Sequence, residues 1–500
     1  MSEDSLKKRY GIKLLSNIIN GLLGVIIIMI VPSALGPIQY GHFSFLQQFY
    51  TQIIGFLDTG TSIAFFTKLS ANQKRKELIT FYMFYILVVS FLIVLFIYSI
   101  NTLKYTDTLF PGIPNNYIYM GLSFGILTWI TQMFIKISDA NALTVSVEWL
   151  KIIHKILSLC LLLYFVSYTA FDLTHYFYFH YISMVAFITI VGLLFVKSNI
   201  FNRHLLTLRF GFKQIGREFF HFSSPLVVYS TVGLGVGFLD IWLLQKMGGS
   251  IQSGFYGLAY SIVAASFLFT SAMTPIITRE FSKSYEEKNI EQMRNNFYRY
   301  IPMLYSIAAF FGIFLSFQSE NILAIFTDGK FKDAYWVLVI MAFYPLHQTY
   351  GQLSGSIFYA TGQTKLYRNI GIFSMLFGLL FTGLFIYFLN LGAIGLALKM
   401  VIIQFIVTNI QLYFNAKFLD FKMKPFVWHQ VYSIGFFIVM AYIATHISTV
   451  SDNIYIRLCT SSLVYIFLVT IAAYIFPKVF ATNRNEIKLV TIRLIGVFKK

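Results

Sequence analysis

The chain has 500 residues, of which 57% are hydrophobic and only 12% are charged, and its formal net charge at pH 7 is +18. Soluble domains average about 25% charged residues, so this composition excludes an ordinary soluble protein and indicates a polytopic membrane protein. A strong basic excess could signal a nucleic-acid partner, but here the basic residues recur in alternate loops between apolar segments, so no such partner is expected.

Fourteen apolar segments follow one another along the chain, each near the roughly 20 residues that a membrane-spanning helix needs. No water is present at membrane depth to satisfy peptide groups, and the alternating pattern of a lipid-facing barrel is absent, so each segment is predicted to be a helix. The predicted fold is an all-α polytopic bundle. The segments begin near Leu14, Gly41, Leu78, Tyr117, Ala142, Tyr176, Pro225, Gly254, Phe297, Ala334, Ile370, Ala393, Trp428 and Ile454.

The distribution of Lys and Arg predicts the orientation of these helices. With the N-terminus placed inside, about 29 of the 38 basic residues fall in cytoplasmic loops and tails, and about 5 fall outside. Both termini are therefore expected on the cytoplasmic side. The first apolar segment has no small-residue cleavage site, so we interpret it as a retained span and not as a signal peptide.

A short peptide near the start of the chain returns about 213 residues later: Gly36-Pro37-Ile38-Gln39-Tyr40-Gly41 is echoed by Gly249-Ser250-Ile251-Gln252-Ser253-Gly254. Each copy lies between two apolar segments. The echo predicts two copies of one membrane unit, as in transporters whose halves are related by an axis along the membrane normal. The expected division is residues 1–198 and 223–416 as two pseudo-symmetric six-helix bundles, with two further helices and a cytoplasmic tail in 417–500.

The segment 199–222 between the two predicted bundles alternates basic and apolar residues. This pattern predicts an amphipathic helix on the inner leaflet, held by anionic membrane lipids. Ser223, Ser224 and Pro225 have the composition of a helix start, so the second bundle is expected to begin there.

Charged residues inside predicted spans are costly, and they are the first candidates for a functional site. Glu148, Lys151 and Lys155 are spaced by three and four residues, which places them on one face of the fifth span, with His154 beside them. If that face points inward, the two lysines form a cationic wall for an anionic substrate, and Glu148 couples or tunes it. The alternative is that these side chains extend to lipid headgroups at the cytoplasmic interface.

Two further lysines, one arginine and two acids complete the set of candidates. Lys136 and Lys399 lie within apolar runs and could bind substrate, as could Arg368, which matches His154 in the predicted repeat. Asp58 and Asp240 are isolated carboxylates that could bind a proton or a sodium ion. The alternative is a structural role, through a neighbouring lysine or, for Asp58, through Thr59 and Thr61. For Asp240 a further alternative is simple solvation near the outer face.

The sequence carries no phosphate-binding loop with its lysine, no metal-ligand cluster and no nucleophile elbow, so no catalytic residue, metal site or cofactor is predicted. The loops on the outer side are short, which disfavours a membrane enzyme of glycan assembly such as a polymerase. The expected activity is transport driven by an H+ or Na+ gradient, by the gradient of the substrate itself, or by consumption of the product on the far side.

Several local patterns together resemble the Wzx-type flippases of O-antigen and polysaccharide repeat units, in the multidrug/oligosaccharidyl-lipid/polysaccharide superfamily. The resemblance covers nearly the whole chain as a general layout, without one diagnostic motif. The matching residues are Asn17 to Gly21, Pro32, Leu35 to Gly41, Asp58 to Gly60, Lys74 to Lys76, Ser224 to Leu226 and Ala360 to Lys365.

The resemblance implies a bacterial inner-membrane antiporter of O-antigen and lipopolysaccharide biosynthesis, whose two bundles form a V. Such a protein moves an undecaprenyl-pyrophosphate-linked oligosaccharide from the cytoplasmic to the periplasmic leaflet, and a polymerase and a chain-length regulator of the same pathway would be its partners. The alternative within the superfamily is a multidrug or toxin exporter. An exporter of cationic drugs would need an acidic cavity, whereas the embedded charges here are mainly basic.

Overall fold

The computed structural model describes residues 6–58, 60–201, 211–449 and 451–483 of the chain. Within these ranges the fold is all-α, without a strand. The helices are α1 (Leu6–Leu57), α2 (Thr61–Ala71), α3 (Glu77–Thr102), α4 (Thr106–Leu109), α5 (Asn115–Ala140), α6 (Thr144–Tyr168), α7 (Leu173–Lys197), α8 (Phe212–Ala264), α9 (Phe267–Glu286), α10 (Ile290–Phe317), α11 (Ser319–Thr327), α12 (Tyr335–Met341), α13 (Tyr344–Ala360), α14 (Thr364–Thr382), α15 (Gly392–Leu419), α16 (Lys424–Ser448) and α17 (Ile454–Ile475).

Ten of the helices in the described ranges are long and apolar enough to cross a membrane. Two helices are longer than one crossing needs: α1 has 52 residues and α8 has 53. At 1.5 Å per residue each is about 80 Å long, whereas the hydrocarbon core of a bilayer is about 30 Å thick. With α1 and α8 each crossing twice and α12 continuing into α13, the helices account for the fourteen predicted spans, and the polytopic all-α prediction is confirmed.

The two copies of the repeated peptide are the points at which α1 and α8 bend. Gly36 has φ 72° and Gly249 has φ 67°, a left-handed conformation that L side chains rarely adopt. Helical hydrogen bonding resumes directly after each of these residues. The sequence predicted a connection between two spans at both places, and the structure makes each connection with a single non-helical residue.

The two bends pack against each other, in a pattern that matches the repeat. A Cβ atom on Gly41 would lie 1.7 Å from the carbonyl oxygen of Ser250, and one on Gly254 would lie 2.4 Å from that of Pro37. Since Pro37 corresponds to Ser250 and Gly41 to Gly254, these two contacts are equivalent. Small residues permit such close backbone approach, which is how helices associate where lipid removes the hydrophobic driving force.

The chain divides into two compact units, Met1–Gly257 and Leu258–Lys500. In the first unit, the core is formed by residues of α2, α3, α5 and α7 and the start of α8. Phe65 stacks on Tyr82 with ring centroids 4.5 Å apart, and Phe81 packs on Phe219 at 5.0 Å. Aromatic pairs at these distances contribute about 0.5–1.5 kcal/mol each beyond their buried area.

In the second unit, the core lies between α10, α13, α16 and α17 and contains Tyr305, Tyr350 and Tyr465. Buried amides link the two C-terminal helices to the rest of this unit. The Nε2 group of Gln318 lies 2.8 Å from the hydroxyls of both Thr445 and Ser461. Interhelical hydrogen bonds of this kind are worth about 0.6 kcal/mol each on average in membrane proteins.

The expected helix start at Ser223 to Pro225 is wrong, because α8 begins eleven residues earlier, at Phe212. The reason is packing: Ile215 and Phe219 are buried against the core of the first unit, and this stabilises helix well before the proline. Part of the predicted amphipathic linker, residues 202–210, lies outside the described residues, as do Thr59 and the C-terminal tail from 484.

Ion pairs also hold the start of α8. The carboxylate of Glu218 accepts hydrogen bonds from Lys68 at 3.1 Å and from Arg75 at 3.4 Å, and these bonds, that of Lys68 above all, lower the pKa of Glu218. A carboxyl with a lowered folded-state pKa stabilises the fold above its unfolded pKa of about 4.5, and this stability is lost as the pH falls through the folded pKa.

We therefore expect acidification from pH 6 to about pH 3.5 to lower the amide protection factors around residue 218 in the wild type, that is, to increase exchange relative to the intrinsic rate at each pH. The effect is small, since such partly exposed pairs contribute about 0–1 kcal/mol. In Glu218→Gln the exchange should already be faster at pH 6 and should change less on acidification. An equal acid response in the variant would contradict a stabilising role of these ion pairs.

Candidate functional site

The face of α6 predicted to carry the site does bring charges together. The Nζ atom of Lys151 lies 2.8 Å from Oε1 of Glu148, and the glutamate is 1% exposed. The other carboxylate oxygen, Oε2, is buried and has no hydrogen-bond partner among the described residues. Glu148 therefore has one strong interaction, with a lysine one turn away, and half of its accepting capacity is unused.

Helix α1 covers this part of α6. The hydroxyl of Ser16 lies 3.4 Å from the main-chain oxygen of Glu148, and Asn20 donates a hydrogen bond to Ser16 at 3.0 Å. One turn before Ser16, the ammonium of Lys13 lies 2.8 Å from a carboxylate oxygen of Asp139 in α5. Charged and small polar side chains thus lie together where α1 packs against α5 and α6.

Lys155 lies near the middle of α6 and is half-buried. Among the described residues, no carboxylate lies within ion-pair distance of its ammonium group. His154 itself turns toward α7, where its Nε2 lies 2.8 Å from the main-chain oxygen of Ser183. The two lysines and Glu148 therefore form the charged face, and His154 holds α6 against α7.

A second charged group in the first unit joins Asp58 to Lys136, with 3.6 Å between carboxylate and ammonium. The Asp58 carboxylate also accepts hydrogen bonds from the hydroxyls of Tyr82 and Thr61. Asp58 comes directly after α1, and the nearby Gly60 has φ 74°, so the chain is broken here between α1 and α2. Asp58 therefore has a neighbouring lysine and a hydrogen bond from Thr61, the contacts expected if its role is structural. Thr59 lies outside the described residues.

The remaining predicted residues lie elsewhere. Asp240 is 8% exposed, in the part of α8 that precedes the bend at Gly249. Lys399 is 6% exposed on α15, and its aliphatic end packs over Gly378 of α14. Arg368 is exposed at the start of α14 and donates to Asn369. Of the nine predicted residues, the structure pairs Glu148 with Lys151, with Lys155 one turn further along α6, and separately pairs Asp58 with Lys136.

The sequence did not reveal the polar residues that complete these groups. Ser16 and Tyr82 lie in strongly apolar runs, and nothing in their spacing marks them. The pair of Lys13 and Asp139 could have been suspected, because both lie at the ends of predicted spans on one side of the membrane. In the parts of the chain that the structure describes, no group of three or more His, Cys, Asp or Glu side chains could hold a metal ion.

Comparison with known proteins gives few sequence relatives. No family model matches the sequence. A 212-residue segment, 42% of the chain, is 26% identical to the "Probable low-salt glycan biosynthesis flippase Agl15" of Haloferax volcanii. The match spans 44% of that relative, which is less than half of its length.

Solved structures match a much larger part of the chain. The lipid II flippase MurJ in its inward closed conformation superposes with a TM-score of 0.66 at 14% identity, over 93% of this chain and 99% of that one. An inward-facing multidrug resistance MATE family transporter of the MOP superfamily superposes with a TM-score of 0.57 at 15% identity, over 83% and 95%. The chain is therefore a multi-pass membrane protein with the helical fold that MurJ and this MATE transporter share.

Proposed function

We propose that the protein is a flippase for polyisoprenoid-pyrophosphate-linked oligosaccharide repeat units, which it moves from the cytoplasmic to the periplasmic leaflet. The observation that carries the proposal is the charged face of α6, where Lys151 and Lys155 lie about one helical turn apart. A pyrophosphate is a compact anion, and ammonium groups at membrane depth are suited to bind it. The shared fold with MurJ, and the name of the Haloferax relative, support the same activity.

The balance of charges in this part of the first unit favours an anionic substrate. Lys151 is paired with Glu148, Lys136 with Asp58 and Lys13 with Asp139. Lys155 has no carboxylate at ion-pair distance in the described part of the chain, so its positive charge is in excess over the three pairs. A headgroup phosphate near Lys155 would neutralise that charge, and burying a cation without a partner is costly enough to make such a ligand favourable.

The polyprenyl tail can stay in the bilayer while the headgroup crosses by alternating access. Lys136, His154, Lys399 and Arg368 are further candidates for contact with the substrate, and Asp58, Glu148 and Asp240 are candidates for coupling to H+ or Na+. We place the protein in the bacterial inner membrane with both termini cytoplasmic. A polymerase and a chain-length regulator are the partners expected if the product is an O-antigen.

The proposal is tested by transport in proteoliposomes that contain a fluorescent polyprenyl-pyrophosphate-linked oligosaccharide. We expect the wild-type protein to expose the labelled lipid to a membrane-impermeant quencher or lectin. In the double variant Lys151→Ala/Lys155→Ala the rate of this exposure should be at least ten-fold lower. The variant lacks two cations that bind the phosphates, and each is worth more than about 1 kcal/mol when desolvated.

The matched control is Lys283→Ala, which removes an exposed lysine of α9 whose pairing with Glu287 at 3.9 Å is weak. Its transport rate should equal that of the wild type, and size-exclusion profiles should show that all variants are folded. Full transport by the double variant would contradict the cationic-wall proposal, and absence of transport by the wild type would contradict the flippase proposal itself.

Export of drugs is the second candidate function, since the fold is also that of a multidrug MATE family transporter. It predicts binding of lipophilic cations. Efflux of ethidium by cells that express the protein, unchanged in Lys151→Ala/Lys155→Ala, would favour this candidate over the flippase.

A further inference from the structure

Glu148 is a buried carboxylate with one oxygen unused, and its charge depends on a single lysine. It is 1% exposed, its Oε1 binds Lys151 at 2.8 Å, and its Oε2 has no hydrogen-bond partner in the described chain. The ion pair with Lys151 is thus the main interaction that compensates this buried negative charge. A buried carboxylate without a compensating partner is strongly disfavoured.

Lys151 cannot neutralise Glu148 and a bound phosphate equally well. Its ammonium group has three N–H donors but only one positive charge, so a phosphate that shares it weakens the contact at 2.8 Å and leaves the charge of Glu148 less compensated. Lys155 is about two turns from Glu148, too far along the helix to replace Lys151 without a change of both side chains. The negative charge on Glu148 must then be removed in another way.

We propose that Glu148 takes up a proton when an anionic headgroup binds Lys151, and gives it back when the headgroup leaves. This inference rests on the proposed function. In the step, the phosphate oxygen replaces the carboxylate oxygen as the acceptor of the Lys151 N–H groups, and one proton from water becomes bonded to a carboxylate oxygen of Glu148. On release the proton returns to water, and the pair with Lys151 forms again.

The other titratable groups around Glu148 do not offer the same exchange. From α1, Lys13 is paired with Asp139 of α5, and that aspartate also accepts a hydrogen bond from Thr144 at 3.0 Å. On α6 itself, Lys155 is a cation and His154 is bonded to the main chain of α7. His180 of α7 is enclosed by aromatic rings, among them Phe43 and Tyr176. In the described structure, Glu148 is the one carboxylate paired with a lysine of the charged face of α6, whereas Asp58 pairs with Lys136 in the separate group.

The consequence is that the proton and the anion travel in the same direction. A headgroup with two negative phosphate charges would cross together with one proton, so a net of one negative charge would move outward. A membrane potential that is negative inside would still favour outward movement of the remaining charge. This differs from an antiport, in which the proton would leave the site as the substrate binds.

The first test needs no substrate. In Lys151→Met, Glu148 loses its cation, so infrared difference spectra at neutral pH should show the C=O stretch of a protonated carboxyl group. The band should be missing from the wild type and from Lys151→Met/Glu148→Gln. Spectra of Lys151→Met without this band would overturn the inference.

The second test counts protons during binding. The probe is a short-chain isoprenyl pyrophosphate diester of a monosaccharide, whose phosphates do not titrate near neutral pH. Calorimetry of the full-length protein in two buffers of different ionisation enthalpy should give uptake of about one proton per ligand for the wild type and about none for Glu148→Gln.

Equal proton numbers in the two proteins, or release of a proton by the wild type, would overturn the inference while leaving the flippase proposal intact, since proteoliposome transport decides that separately. No binding of the probe to the wild type would also overturn it. If Glu148→Gln still transports, its transport rate should depend less on cytoplasmic pH than the rate of the wild type does.

Discussion

Replacing Gly41 with alanine is expected to prevent most of the protein from reaching its folded state. The new Cβ atom would lie 1.7 Å from the main-chain oxygen of Ser250, where ordinary contacts are 3.4 Å or more. The obstacle is backbone and not the end of a flexible side chain, so α1 and α8 would have to separate. We expect a loss at or above the upper end of the usual overpacking range, about 3 kcal/mol.

The measurement is the yield and thermal midpoint of detergent-solubilised protein, together with size-exclusion chromatography. Gly254→Ala should behave in the same direction and less severely, because its Cβ would lie 2.4 Å from the main-chain oxygen of Pro37. The matched control is Gly24→Ala in α1, where no heavy atom lies within 4 Å of the added carbon. Normal yield from Gly41→Ala would mean that the two bends do not approach as the structure shows.

Removing the carboxylate of Asp58 is expected to have the next largest effect. Asp58→Ala leaves the ammonium of Lys136 without the carboxylate now 3.6 Å away, and it removes the acceptor of the Tyr82 hydroxyl. Breaking a buried ion pair by removing one partner costs about 3–5 kcal/mol. Because Lys136 is 31% exposed, we expect the lower end of this range, seen as a reduced thermal midpoint.

A double-mutant cycle separates a structural role of Asp58 from a role in ion coupling. Lys136→Met/Asp58→Ala removes both charges, so much of the stability lost in Asp58→Ala should return. If the double variant is stable but its transport no longer responds to a proton or sodium gradient, while that of Lys136→Met still does, Asp58 is a coupling residue as well. If Asp58→Ala is as stable as the wild type, the network around Asp58 has no structural role.

The positions of the helices could be predicted well from the sequence, because the bilayer imposes their length. Several predicted starts lie within three residues of the observed ones: Leu78 against Glu77, Tyr117 against Asn115, and Ile454 itself. Hydropathy could not show where a helix breaks or continues. The second apolar segment is interrupted at Asp58 to Gly60, and the tenth between Met341 and Tyr344, where local backbone conformation decides.

The candidate site was predictable only in part. Helical spacing was enough to place Glu148, Lys151 and Lys155 on one face, since it depends on a single element. The partner of Lys136 could not be derived from periodicity, because Asp58 is brought to it by the packing of two helices far apart in sequence. Likewise, no pattern showed that Glu148 would be enclosed by Ser16 of α1 while Lys155 would lack a carboxylate.

The bends at Gly36 and Gly249 also bear on how the chain can be cut or tagged. Helical structure on both sides of each bend leaves no extended segment that could enter the active site of a protease, although both places connect one membrane crossing with the next. Cleavage sites and epitope insertions should be sought instead in exposed connections such as 103–105 and 328–330. An epitope inserted at Gly249 would report disruption of α8, and it would say little about topology.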